Sequence, residues 1–119
     1  MARVLVAEDE AFTAIALVDT LERQGHQVRD AADGAHAIAV LADFEPDVLV
    51  TDLMMPNVDG AELIRHVRAQ PGAALPVILI TGVPESKLPH GLTYDAYLGK
   101  PVDHAELGRM VEDLAKRRG

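Results

Sequence analysis

Five residues in this chain have the types and the placement to do chemistry: Glu8, Asp9, Asp52, Thr81 and Lys100. Each group follows a short apolar run. Val4-Leu5-Val6-Ala7 precedes Glu8-Asp9-Glu10, and Asp47-Val48-Leu49-Val50-Thr51 precedes Asp52. Val77-Ile78-Leu79-Ile80 precedes Thr81-Gly82, and Tyr94 to Leu98 precedes Gly99-Lys100-Pro101. Carboxylates gathered from several such ends repel one another strongly when partly desolvated, and a hard divalent cation relieves that repulsion. Oxygen donors without His or Cys favour Mg2+ or Mn2+. A carboxylate in such a site can also attack phosphorus and form an aspartyl phosphate. Phosphoryl transfer needs mainly positioning and neutralisation of charge on the equatorial oxygens. The metal supplies one contact, Lys100 a cation and the Thr81 hydroxyl a hydrogen bond. Asp52 is the candidate nucleophile.

The elements that must position these residues follow from the apolar pattern. The runs ending at Ala7, Thr51, Ile80 and Leu98 read as strands, and His26 to Ala31 as a weaker one around Val28. Phe12, Ile15, Leu17, Val18 and Leu21 follow helical spacing, and Gly25 is a good stop. Asp33-Gly34 opens a second helix with Ala37, Ile38, Val40 and Leu41 as its inner face. Asp59 and Glu62 have the spacing of a capping box before Leu63, Ile64 and Val67. That helix ends near Pro71-Gly72. Asp103 and Glu106 repeat the box before Leu107, Met110, Val111 and Leu114, and Lys116-Arg117-Arg118 suit the negative end of that last helix. Between Val83 and Thr93, Pro84, Pro89 and Gly91 oppose a long helix. Strand–helix alternation repeated five times implies a parallel sheet with helices on both faces. In the flavodoxin-like order 2-1-3-4-5, the first and third strands are neighbours at the switch point, so Glu8, Asp9 and Asp52 converge in one crevice.

Composition narrows the class. The 119 residues suit one domain spanning 1–119, and a core low in aromatics (two Phe, two Tyr, no Trp) must be built of Val, Leu, Ile and Ala. A net charge of −8 argues against direct nucleic-acid binding. With no cysteine, thiol chemistry and disulfides are excluded. No run is long enough for a membrane span, and the immediate strand leaves no room for a signal peptide, so a cytoplasmic location is expected. The five histidines, His26, His36, His66, His90 and His104, fit no ligand spacing and read as surface residues. Some residues have plainer readings. Glu8-Asp9-Glu10 also suits a helix N-terminus, Asp47 a cap on the opposite sheet edge, and Asp59 an N-cap.

Taken together, the order and spacing of these fragments, with Leu53-Met54-Met55-Pro56, Asp59-Gly60 and Tyr97-Leu98-Gly99-Lys100-Pro101, resemble the receiver (CheY-like) domains of two-component response regulators. The resemblance covers the whole chain. It implies Asp52 as phosphoacceptor, and Asp9, Asp52 and the Met54 backbone carbonyl on Mg2+ (or Mn2+), with Glu8 joining through water. It implies Thr81 and Lys100 as phosphate contacts and Tyr97 as an aromatic switch paired with Thr81. It implies a cis Lys100–Pro101 peptide, as only an X–Pro bond adopts readily. A sensor histidine kinase or histidine phosphotransferase would be the donor, and a downstream protein target or fused effector domain the recipient. The domain would be a self-phosphorylating switch, not a metabolic enzyme. The stretch from Thr81 to Lys100 is shorter than the family pattern by about one helical turn, so the fourth helix should be short or irregular. Met54 and Val83, each two residues beyond a site residue, are apolar and cannot orient an attacking water. Two other readings are a phosphate-independent pseudo-receiver, which the intact acidic set opposes, and an aspartyl-phosphate phosphatase. The latter needs a second acid near the nucleophile, where Leu53 and Met54 offer none.

Overall fold

A computed structural model describes residues 1–72 and 74–118, apart from the side chain at 118. The chain builds β1 (Arg3–Ala7), α1 (Ala11–Arg23), β2 (Gln27–Ala31), α2 (Gly34–Phe44), β3 (Val48–Asp52), α3 (Gly60–Ala69), β4 (Val77–Thr81), β5 (Ala96–Gly99) and α4 (His104–Arg118). All five strands are parallel, in the order β2-β1-β3-β4-β5. This is the expected doubly wound sheet.

The three central strands, β1, β3 and β4, are buried on both sides because their side chains alternate between two cores. Val4, Val6, Val48, Val50, Ile78 and Ile80 face Leu17 and Leu21 of α1 and Leu107, Val111 and Leu114 of α4. Leu5, Ala7, Leu49, Val77 and Leu79 face Ala37, Val40 and Phe44 of α2 and Leu63, Ile64 and Val67 of α3. Burying each large aliphatic side chain is worth about 1.5–3 kcal/mol. The three central strands are therefore the rigid part of the fold.

Helix starts follow the local chemistry. Glu10 caps α1 by accepting the Phe12 and Thr13 N–H groups, Asp33 caps α2 through His36, and Asp59 caps α3 through Glu62. Asp103 accepts the Glu106 N–H at 3.1 Å at the start of α4. Gly25 ends the turn after α1 at φ +92°, a conformation that favours glycine. On the opposite edge of the sheet, Asp47 Oδ2 accepts the Arg3 N–H at 2.8 Å, as its position suggested.

Between β4 and β5 the fourth helix is reduced to one 3-10 turn, Glu85–Lys87. The prolines and Gly91 deny it length. Val83, Leu88, Leu92, Tyr94 and Tyr97 instead pack inward against the core shared with α2 and α3. Arg68 of α3 holds the end of this strap, donating to the Thr93 and Leu75 carbonyls and to Asp95.

Four expectations need correction. β5 begins at Ala96, not Tyr94: Tyr94 donates its hydroxyl to Glu85 at 2.6 Å, and Asp95 Oδ2 takes the Val77 N–H at 2.8 Å. Phe12 and Ile15 are not core residues but are 82% and 65% exposed, because α1 turns Ala14, Leu17 and Leu21 to the sheet. His26 is buried, its Nδ1 accepting the Ala2 N–H at 3.1 Å. His66 and His104 are half-buried, with His104 Nδ1 2.5 Å from Thr20 Oγ1. The Arg118 side chain and Gly119, placed in the basic tail and at the domain's end, lie outside the described residues.

Candidate functional site

The register explains why the acids meet. Ala7 pairs with Thr51 across β1 and β3, so Glu8 and Asp52 leave adjacent strands side by side. Asp52 is the last residue of β3 and is 6% exposed; Glu8 is 2% exposed and Asp9 is exposed. One carboxylate oxygen from each of Glu8, Asp9 and Asp52 lies within 4.8 Å of the others.

Lys100 answers part of this charge. Its ammonium lies 2.7 Å from Glu8 Oε1 and 2.8 Å from Asp52 Oδ2. It is the partner of Glu8 Oε1 among the described residues, while Glu8 Oε2 accepts the Glu10 N–H at 3.1 Å. Burial pushes the Glu8 carboxyl above its ordinary value, and the Lys100 hydrogen bond partly opposes this. Burial alone would lower the Lys100 ammonium. Its hydrogen bonds to Asp52 and Glu8 outweigh that and hold it above the ordinary lysine value. With three carboxylates and one ammonium, the site keeps an excess of negative charge. All its donors are oxygens, the set that fits a hard divalent cation.

The backbone around Asp52 is equally constrained. Asp52 Oδ1 accepts the Leu53 N–H at 2.7 Å and a longer bond from Met54 N–H at 3.4 Å. The Gly60 N–H donates to the Leu53 carbonyl at 2.8 Å, and a Cβ at position 60 would stand 2.0 Å from the Asp52 carbonyl oxygen. Glycine is required there by that close approach.

Thr81 ends β4 fully buried, and its Oγ1 accepts the Val83 N–H at 3.1 Å. A hydroxyl that accepts in this way keeps its own proton for another partner. The Tyr97 hydroxyl donates to the Val83 carbonyl at 2.7 Å. Thr81 and Tyr97 therefore hold Val83 from its two ends, Thr81 at its N–H and Tyr97 at its carbonyl. The Lys100–Pro101 peptide is cis, and the Lys100 N–H donates to the Thr81 carbonyl at 2.9 Å. Met54 is 67% exposed beside the crevice.

The structure thus gathers Glu8, Asp9, Asp52 and Lys100 at one point and places Thr81 at the neighbouring strand end, with Tyr97 reached through Val83. Sequence reasoning missed the direct pairing of Glu8 with Lys100. It also missed the tie between Asn57 and Asp33, where Asn57 Nδ2 donates to Asp33 Oδ2 at 2.9 Å. The signal available was Pro56-Asn57 after a strand, since Asn tolerates the left-handed backbone that Asn57 adopts at φ +66°.

In a doubly wound sheet the acids and lysine converge at the switch point, where such folds place their ligand-binding chemistry. Sequence comparison agrees: residues 4–112 match the family described as Response regulator receiver domain, and the chain belongs to that family. Such domains are signalling modules of two-component systems. The chain is 34% identical to the Transcriptional regulatory protein AfsQ1 of Streptomyces coelicolor over 120 residues, 98% of this chain and 52% of that protein. It is 35% identical to the Response regulator MprA of Mycobacterium avium over 118 residues, 97% of this chain and 51% of that protein. It therefore spans about half the length of these relatives. The Francisella response regulator 1452 receiver domain superposes with a TM-score of 0.91 at 33% identity, covering both chains fully. The signal receiver domain of a signal transduction histidine kinase from Syntrophus aciditrophicus gives 0.88 at 28% identity, over 98% of this chain and 92% of that one. Among the described residues, no helix is long and apolar enough to cross a membrane.

Proposed function

We propose that residues 1–119 act as a single receiver unit that accepts a phosphoryl group onto Asp52 from the phosphohistidine of a sensor histidine kinase or histidine phosphotransferase. The observation that carries this reading is the shared Lys100 ammonium, 2.7 Å from Glu8 and 2.8 Å from Asp52, beside the exposed carboxylate of Asp9. In the transfer, an Asp52 carboxylate oxygen forms the bond to phosphorus as the histidine N–P bond breaks and the imidazole leaves with the electron pair. Lys100 remains beside Asp52 to neutralise charge on the transferred oxygens. Thr81 offers its hydroxyl proton to one of those oxygens. Asp9, Asp52 and the Met54 carbonyl would hold Mg2+ or Mn2+, with Glu8 joining through water. The cation supplies charge neutralisation and orientation of the phosphoryl oxygens.

Once Thr81 turns to the phosphoryl group, its hold on the Val83 N–H weakens, and the Tyr97–Val83 bond carries the change into the strap and β5. A shifted population at that surface would alter binding of a downstream protein or a fused effector domain. The net charge of −8 supports a protein partner rather than direct nucleic-acid contact by this domain, which we place in the cytoplasm.

Beryllofluoride with Mg2+ tests the reading, because it mimics a phosphoryl group on a carboxylate. Amide resonances of Leu53, Thr81 and Val83 should shift in the natural sequence and stay fixed in Asp52→Asn. An unperturbed spectrum of the natural sequence would point to a phosphate-independent binding module, and steady-state turnover of a phosphate ester to a phosphatase.

A further inference from the structure

The loop between β3 and α3, residues 53–59, leaves Asp52 and carries Met54. Its near end is fixed by the Asp52 carboxylate and by Gly60, and Met55 is buried in the core beside α2 and α3. Its far end rests on the start of α2. Asn57 Nδ2 donates to Asp33 Oδ2 at 2.9 Å, and the Gly34 N–H donates to the Val58 carbonyl at 2.9 Å. A Cβ at Gly34 would stand 2.1 Å from that carbonyl oxygen, so the two backbones touch. Asp33 divides its carboxylate: Oδ1 caps α2 through the His36 N–H at 2.8 Å, while Oδ2 holds the loop.

Asn57 sits in left-handed backbone, φ +66°, one of two non-glycine residues to do so among the described residues. Asn tolerates that conformation better than most residues, and here a side-chain bond to a residue 24 positions away holds it in place. Gly60 fixes the loop where it meets the phosphoacceptor, and Asp33–Asn57 fixes it where it reverses. Both clamps act on the segment that presents the Met54 carbonyl.

We propose that Asp33 and Asn57 are positioning residues for the cation site: their hydrogen bond sets the β3–α3 loop in its metal-binding shape and couples the cation to the start of α2. The inference rests on the reading that Asp9, Asp52 and Met54 hold Mg2+. Neither residue touches the cation; they act through the loop. Because coupling of binding free energies is reciprocal, Mg2+ must also tighten the Gly34–Val58 contact.

The test is Mg2+ titration of the natural sequence, Asn57→Gly, Asp33→Ser and the double variant, followed by calorimetry and by amide exchange at Gly34. Glycine accepts φ +66° without strain and removes only the amide tie. Serine keeps a helix cap but is too short to reach position 57. Each single variant should weaken Mg2+ binding about three- to tenfold, an exposed pair transmitting part of a charge-assisted hydrogen bond. The double variant should be no weaker than the singles, because both remove one interaction. Mg2+ should slow Gly34 exchange in the natural sequence and lose that effect in Asn57→Gly. With saturating Mg2+, labelling of Asn57→Gly by acetyl phosphate should regain the natural maximal rate. Mg2+ affinity within about twofold of natural in Asn57→Gly, or strictly additive losses in the double variant, would overturn the proposal. Failure of the natural sequence itself to bind Mg2+ would overturn the underlying reading of the site, a result visible before any variant is made. Denaturation without metal reports folding of each variant separately.

Discussion

Replacing Lys100 with methionine isolates the electrostatics of the site. Its ammonium makes two contacts, 2.7 Å to Glu8 and 2.8 Å to Asp52. At an effective dielectric of about 20, each is worth on the order of 6 kcal/mol before desolvation. Breaking a buried pair by removing one partner typically costs about 3–5 kcal/mol. Lys100 is a quarter exposed, with side-chain accessibility 27%, so solvent screens part of the pair and the loss should be about 2–3 kcal/mol at neutral pH. The loss should also depend on pH. Burial already raises the Glu8 carboxyl, and the Lys100 hydrogen bond is the first of the influences opposing it. Without Lys100 the native state holds a proton on Glu8 more tightly than the unfolded chain does. A group raised in the folded state favours folding below its unfolded value and loses that support as pH rises through its folded value. The penalty should therefore be smaller near pH 5, where only the Asp52 contact is missed, and grow toward pH 8. Urea denaturation at both pH values, without metal, measures it. Mg2+ should stabilise Lys100→Met more than the natural sequence, since its carboxylates lack a competing cation. A penalty under about 1 kcal/mol, or one equal at both pH values, would refute the argument that Lys100 neutralises a buried Glu8.

Three further outcomes follow from other parts of the molecule. Met54 and Val83 offer no group to orient water, so the phosphorylated protein should persist well beyond seconds; intact-mass decay after removal of the donor measures this. Tyr94 donates to Glu85, which pushes its phenol up to about 12; in Glu85→Gln, ultraviolet titration should show that phenol titrating lower. Burial, and then the N-terminal ammonium, hold His26 below the ordinary histidine value, and its neutral Nδ1 accepts the Ala2 N–H. A depressed histidine supports folding above its unfolded value, so stability should fall as pH drops below about 6.5; in His26→Asn, whose carbonyl can accept the same bond, chemical denaturation should show that acid-side loss reduced.

The parallel sheet could be read from the chain because Val4–Ala7, Val48–Thr51 and Val77–Ile80 are continuous apolar runs, and only strands buried on both faces need such runs. Glu8 and Asp52 were visible because each stands directly after such a run, and Lys100 because it follows the shorter strand segment ending in Leu98-Gly99. The departures have physical causes. Helical spacing shows that Phe12 and Ile15 share a face with other apolar residues, but not which face meets the sheet; Ala14 lies there instead. His26 looks polar, yet one backbone N–H from Ala2 is enough to settle it in a buried position. Tyr94 has strand propensity, but its hydroxyl is taken by Glu85 before the ladder begins. The Glu8–Lys100 and Asp33–Asn57 pairs join residues far apart in sequence, with no periodicity to announce them. The strap was better marked, since Pro84, Pro89 and Gly91 each remove helical stability.

The most direct test is intact-mass analysis after incubation with acetyl phosphate and Mg2+. The natural sequence should gain the mass of one phosphoryl group, lose that gain on chelation of the metal before the donor is added, and show no gain in Asp52→Asn. Equal labelling of Asp52→Asn would contradict Asp52 as the acceptor.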